Sequence, residues 1–260
     1  RTTPLGELIV TQIKRVLDET LRLDEIATQS RDPLKGPLRV GVIYTIAPYL
    51  LPALIPVLHK LAPDMPLFLR EDFTTNLIPM LKEGELDILV LALPVDVPGI
   101  VAQRVYEEPF RVVVPAAHEW ADRKSVRNDE LDGQQLLLLG SGNCFRDQVL
   151  EACPRLQRAE GLSGSIEGSS LETIRHMVAS GAGIAVMPSS AADPLVDREP
   201  MVKVLPFAEA SGHVARPGDS AGVGRTVGLA WRTTFPRPKA VDAVRQAILS
   251  CQLPGVSKAS

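Results

Sequence analysis

The spacing of hydrophobic positions divides the chain into a short leading part and a long body. Thr3-Pro4 suits an N-cap followed by N1. After it, Leu5, Leu8, Ile9, Ile13, Val16, Leu17 and Leu21 recur mostly three and four apart, separated mainly by Glu, Gln, Lys, Arg and Asp. This predicts one amphipathic helix over about residues 4–29, ending before Asp32-Pro33. A single apolar stripe must be covered by the helix's own domain or by a partner helix. The second is favoured here, which makes residues 1–34 a linker and dimerisation helix.

From Leu38 the pattern becomes one of alternating strands and helices. Strands are predicted at 38–44, 66–71 and 86–93, with helices at 49–61 (kinked by Pro52 and Pro56) and 76–82. The run from Leu86 to Leu93 is almost continuously apolar, as in a strand covered on both faces within a parallel sheet. A second series starts at Phe110-Arg111-Val112-Val113-Val114. It continues with strands at 135–139, 165–168, 183–187 and 202–206, and with helices from about Phe145 and over 170–180. Ser170 is the expected N-cap of the latter, with Thr173 at N3. Residues 210–224 are rich in Gly, Ser, Ala and Pro and read as a loop. A strand at 227–232 and a helix at 238–251 close the chain. The fold class is therefore α/β: two Rossmann-like lobes with a central cleft, like periplasmic binding proteins, preceded by a long linker helix. Residues 35–109 and 207–260 form the first lobe, and residues 110–206 the second.

Composition narrows the function classes. The 260 residues are 45% hydrophobic but only 4% aromatic, so the core is built from Leu, Val, Ile and Ala. A net charge of −3 is not a nucleic-acid footprint. There is no apolar run long enough to span a membrane and no signal peptide, and the first residue is not Met, so the chain reads as cut from a longer protein. Three cysteines make no disulfide framework in a chain of this size, which favours the cytoplasm. The sequence has no dinucleotide fingerprint, P-loop or nucleophile elbow. His59, His118, His176 and His213 are scattered singly, without ligand spacing, so neither a metal nor a cofactor is expected.

Two of the three cysteines, Cys144 and Cys153, lie nine positions apart in one short segment. Gly142-Asn143 places Cys144 at a helix start, where unpaired N–H groups and the helix dipole favour a thiolate, and Arg146 adds a nearby cation. An oxidant would convert such a thiolate to a sulfenic acid, which condenses with a second thiol. On an intact helix, nine residues separate the two sulfurs' backbones by roughly 13.5 Å and point them to opposite sides. A disulfide needs Cα atoms within roughly 7 Å, so it would have to unwind the helix. The other reading is that both thiols are inert core filler. Cys251, in the closing helix, is read as structural.

Several segments resemble a known family. Thr2-Thr3-Pro4-Leu5-Gly6 and the helix after it are similar to the wing end and linker helix of LysR-type transcriptional regulators, and the two-lobed body is similar to their regulatory domain. Gly142-Asn143-Cys144-Phe145-Arg146-Asp147-Gln148 with Cys153 resembles the peroxide-sensing members of that family. So do Thr45-Ile46-Ala47-Pro48-Tyr49-Leu50-Leu51-Pro52 and Ser170-Leu171-Glu172-Thr173.

The resemblance implies a cytoplasmic hydrogen-peroxide sensor rather than an enzyme, with Cys144 peroxidatic and Cys153 resolving. It implies a peroxide pocket made by Thr45, Thr74, Asn143, Asp147 and Arg232, the last in the Gly-Leu-x-x-Arg strand. It also implies a homodimer or homotetramer, contact with RNA polymerase, and promoter DNA bound through a winged helix-turn-helix that would precede Arg1. Asn143 replaces the His common at that position and cannot titrate near neutral pH. A different function class remains open: a domain that binds a small organic effector in the cleft through Thr45, Thr74 and Thr75, with structural cysteines. A thiol peroxidase is disfavoured because nothing marks a recycling-partner site.

Overall fold

A computed structural model describes residues 3–7, 9, 10, 12, 13, 16, 20, 32–153, 166–208 and 223–259. Of the loop expected at 210–224, residues 210–222 lie outside these residues and Gly224 already belongs to a strand; most of the second half of the leading helix also lies outside. Where it is described, the leading segment is helical at residues 4–7, 9, 10, 12, 13, 16 and 20. Thr3 caps it, its Oγ1 accepting from Gly6 N at 3.1 Å. Leu5, Ile9, Val10, Ile13 and Val16 are all exposed, so within this chain the described part of the stripe is uncovered.

The body begins with β1 (Leu38–Ile43), α1 (Ala47–Leu61), β2 (Leu67–Asp72), α2 (Thr74–Glu83) and β3 (Ile88–Leu93). β1 runs parallel to both β2 and β3, as the apolar run predicts. α1 is one continuous helix despite its internal prolines. Pro48, Pro52 and Pro56 recur every four residues on its exposed face, where the missing N–H bonds open to water rather than to the core. Gly41 lets α2 pack close: a Cβ there would stand 2.6 Å from a Leu89 methyl and 3.0 Å from Leu77. Gly84 ends α2 in the left-handed region with φ 76°.

The second series differs from expectation at its start. β4 (Ile100–Pro115) is one sixteen-residue strand, not a short one beginning at Phe110. Its first part pairs antiparallel with β9 (Gly224–Arg232), and from Phe110 onward it pairs with β7 (Ile184–Pro188) and β8 (Val202–Pro206). A bulge between Arg104 and Tyr106 turns the strand. β5 (Leu136–Leu139), α3 (Cys144–Ala152), β6 (Ile166–Gly168) and α4 (Leu171–Ala179) come between β4 and β7. Two short helices, α5 (Ser189–Ala192) and α6 (Leu195–Arg198), precede β8. α7 (Pro238–Ser250) and β10 (Ser257–Lys258) follow β9. Ser170 caps α4 as expected, accepting from Thr173 N at 3.1 Å.

The sheets are mixed rather than purely parallel, because β9 inserts antiparallel between β3 and β4. β4 belongs to both halves, so all ten strands form one connected series. Two separate apolar cores flank it. One gathers β1 to β3, β9, α1, α2 and α7, and the other gathers the second half of β4, β5, β7, β8, α3 and α4. This is the mixed α/β architecture expected of two lobes hinged on a shared strand.

Candidate functional site

The two cores meet at the start of α3. Cys144, its first residue, is half-buried and packs against the core of the opposite lobe. Tyr49 of α1 makes the reciprocal contact with the core of the second lobe. Thr74, the first residue of α2, donates its hydroxyl to Cys144 Sγ at 3.7 Å. The N-terminal ends of two helices, one from each lobe, therefore face each other across this sulfur. Both ends carry positive partial charge, so negative charge that develops between them is stabilised.

Local sequence sets this geometry. Gly142, at φ 91°, turns the chain out of β5 toward the helix, and Asn143 is the buried N-cap without a side-chain cap bond. Phe145 is fully buried, edge-on to Phe110 with ring centroids 5.0 Å apart. Phe110 is the residue where β4 passes from one sheet to the other, so α3 is docked at the lobe junction. Gln148, one turn beyond Cys144 on the same helix face, holds a buried Oε1 with no hydrogen-bond partner among the described residues. Such an acceptor is ready for an O–H donor.

Two expected members of the pocket are placed elsewhere. Arg232 lies at the end of β9 and donates to the carbonyls of Leu81 and Leu86, with Asp87 3.8 Å away. It anchors the end of α2 rather than Cys144. Asp147 is exposed and, among the described residues, has neither a hydrogen-bond nor an ion-pair partner. Arg146, expected as the local cation, instead binds Glu167 at 2.5 Å and Leu139 O at 2.9 Å, tying α3 to the strands beneath it.

The cation at the junction is Arg225, which sequence reasoning passed over. It is fully buried and donates to Thr45 Oγ1 (2.8 Å), Thr45 O (3.0 Å) and Glu108 Oε2 (2.8 Å). Its guanidinium carbon stands 5.3 Å from the Phe145 ring centre. The signal was present in the sequence: an arginine inside a strand that otherwise reads Gly-x-Thr-Val-Gly-Leu-Ala-Trp must find an acidic partner to be buried. Thr45, 2% exposed, accepts from Arg225 and keeps its own O–H for donation.

At the other end of α3, Cys153 is 1% exposed within the core of the second lobe. Burial pushes its thiol up to about 11. Its N–H bonds Val149 O, and Asn128 Nδ2 bonds Ala152 O, so this end of the helix is tied down as well. Both cysteines are free thiols. Cys251 is also free and buried, its sulfur donating to Ala247 O at 3.2 Å. Among the described residues, no group of three His, Cys, Asp or Glu is placed to hold a metal ion.

Residues 31–251 match the family described as the LysR substrate binding domain. Over 246 residues, 95% of this chain and 76% of the relative, the chain is 34% identical to the DNA-binding transcriptional dual regulator OxyR of Escherichia coli K12. The chain belongs to the OxyR branch of the LysR family. It is also 38% identical over 189 residues to the hydrogen peroxide-inducible genes activator of Dickeya chrysanthemi, covering 73% of this chain and 61% of that one. Solved OxyR structures share the architecture. A full-length cysteine-to-aspartate variant from Pseudomonas aeruginosa is 43% identical with a TM-score of 0.75, covering 98% of this chain and 80% of that one. A reduced form from N. meningitidis is 40% identical with a TM-score of 0.74, covering 87% of this chain and all of the other. The two-lobed body of the chain is thus an OxyR-type regulatory domain.

Proposed function

We propose that the chain is the peroxide-sensing part of a transcription factor and that Cys144 is its reactive group. The observation that carries this reading is the seat of Cys144: at a helix start, between the lobes, in contact with the Thr74 hydroxyl, and next in sequence to Phe145, whose ring centre stands 5.3 Å from the Arg225 guanidinium carbon. The thiolate sulfur attacks one oxygen of hydrogen peroxide, the O–O bond breaks, and the other oxygen leaves as hydroxide and takes up a proton to become water. Cys144 is left as sulfenic acid. Thr74, Thr45 and Asn143 supply the hydrogen bonds that hold the peroxide in line, and Gln148 Oε1 is a further acceptor. Arg225, in place of Arg232, stabilises the charge on the departing oxygen without itself giving up a proton. Asp147 stays outside this step.

The Cys153 thiol then displaces water from the sulfenic acid, so that two thiols and one peroxide become one disulfide and two waters. The bond cannot span an intact α3, so the helix unwinds and both lobes feel the change. We take residues 35–109 and 207–260 as the first lobe, 110–206 as the second, and 1–34 as the linker whose uncovered stripe pairs with another copy. A homodimer or homotetramer would carry the signal to DNA bound by a preceding domain, and to RNA polymerase, in the cytoplasm. Among the described residues no helix is long and apolar enough to cross a membrane. An organic effector held in the cleft by the same threonines would give Cys144 no role, although its sulfur is the group that accepts the Thr74 hydroxyl. The test treats a Cys153→Ser chain with peroxide and then dimedone. A dimedone adduct on Cys144 supports the reading, and an unmodified Cys144 under excess peroxide contradicts it.

A further inference from the structure

Glu108 is a buried carboxylate with no part in the chemistry above. Its side chain and that of Arg225 are both 0% exposed. Oε2 takes Arg225 Nε at 2.8 Å and Nη2 at 2.7 Å, and Oε1 takes Ser190 N at 3.2 Å. Glu108 stands two residues before Phe110, where β4 changes sheets, so it joins the arginine of the first lobe to a helix of the second. A guanidinium has five N–H bonds in a planar fork. In Arg225, Nε–H and one Nη2–H go to Glu108, the second Nη2–H to Thr45 O, and one Nη1–H to Thr45 Oγ1. The remaining Nη1–H has no partner among the described residues, and it sits on the nitrogen that holds the Thr45 hydroxyl.

A structural role alone is a weak account of this pair. Desolvating both charges is costly, and an apolar pair of similar volume often serves stability as well or better. What an ion pair adds here is orientation. Nε–H and Nη2–H converge on the one oxygen Oε2, which Ser190 N holds in place through Oε1, and the Thr45 bonds complete one setting of the fork in which Thr45 Oγ1 receives a hydrogen bond and is left to donate.

We propose that Glu108 is a positioning residue for the reaction of Cys144 with peroxide: it fixes Arg225 so that Nη1 and the Thr45 hydroxyl together meet the departing oxygen. This rests on Cys144 being the peroxide-reactive group. The step itself is the one written above, with S–O formed, O–O broken, sulfur oxidised and hydroxide leaving. Glu108 lowers its barrier only through Arg225 and Thr45.

The experiment compares two second-order rates on the whole chain, oxidation of Cys144 by hydrogen peroxide and its alkylation by iodoacetamide. Alkylation needs the sulfur but no stabilised leaving oxygen. Glu108→Gln should slow the peroxide reaction by about tenfold or more and change alkylation by less than about twofold. Glu108→Asp keeps the charge with a shorter reach and should recover part of the peroxide rate. If Glu108→Gln does not fold, as thermal unfolding would show, Glu108→Asp carries the test, with a loss of roughly threefold on peroxide alone. Equal losses in both rates, or no loss in either, would overturn the proposal. A Cys144→Ser chain that still consumes peroxide at the wild-type rate would instead overturn the assignment of Cys144, so the two failures are distinguishable.

Discussion

The two ends of α3 hold the same side chain in opposite surroundings. Cys144 is half-buried between the lobes, with a hydroxyl on its sulfur. Cys153 is buried in one lobe's core, with its thiol pushed up to about 11. One end suits attack on a small polar oxidant, and the other suits a thiol kept protonated until the helix gives way. The difference teaches how burial can order the proposed events: in that scheme the outer cysteine reacts first, and the inner one answers only after its surroundings open. The helix between them separates the two steps.

The sharpest way to break this comparison is to remove one end at a time. Cys144→Ser should abolish peroxide-driven disulfide formation, read by intact-mass spectrometry. Cys153→Ser should stop the reaction with one added oxygen on Cys144. If the two variants behave alike, the assigned order is wrong.

The next largest effect contrasts two arginines on one strand. Arg225→Ala leaves the Glu108 carboxylate buried and unpaired, which should cost roughly 3–5 kcal/mol of stability in chemical denaturation. It should also slow peroxide oxidation by about a hundredfold. Arg232→Ala removes donors from the Leu81 and Leu86 carbonyls and should cost about 1–3 kcal/mol, with little change in peroxide rate. A large rate loss in Arg232→Ala alone would restore that residue to the pocket.

A smaller effect concerns pH. The reduced fold holds the Cys153 proton more tightly than the unfolded chain, whose ordinary value is 9.0. That contribution to stability is present below about pH 9 and is lost as pH rises toward 11, because the unfolded state binds fewer protons in this window. The stability gap between the reduced chain and a Cys153→Ala variant should therefore narrow over that range. The smallest expected effect is that of Glu167→Gln, which frees Arg146 from an ion pair whose carboxylate is half exposed. It should change stability by less than about 1 kcal/mol and slightly raise the fraction of disulfide in a fixed thiol buffer.

Much of the fold was legible because most of its elements are locally consistent. The parallel β1, β2 and β3 and the Ser170 cap each follow from short-range pattern. β4 was only half legible. From Ile100 to Pro109 it carries Gln103, Arg104, Glu107, Glu108 and Pro109, and such a polar run reads as a strand only when β9 beside it supplies Arg225 and Thr226 as partners. The helix over 49–61 was legible despite its prolines, whereas their shared exposed face is a tertiary property. In the site, the cysteine spacing was legible and the two threonines came with the family resemblance, whereas Arg225 was not read. Arg225 and Arg232 lie seven residues apart on β9, and only the packing of Phe145, Thr45 and Glu108 shows which one reaches the lobe junction.

The central claim is that one covalent bond unwinds α3. Hydrogen exchange across residues 145–152, followed by mass spectrometry before and after one equivalent of peroxide, tests it most directly. The account predicts slow exchange in the reduced chain and loss of that protection once the Cys144–Cys153 disulfide is mapped. A mapped disulfide with protection unchanged would contradict it.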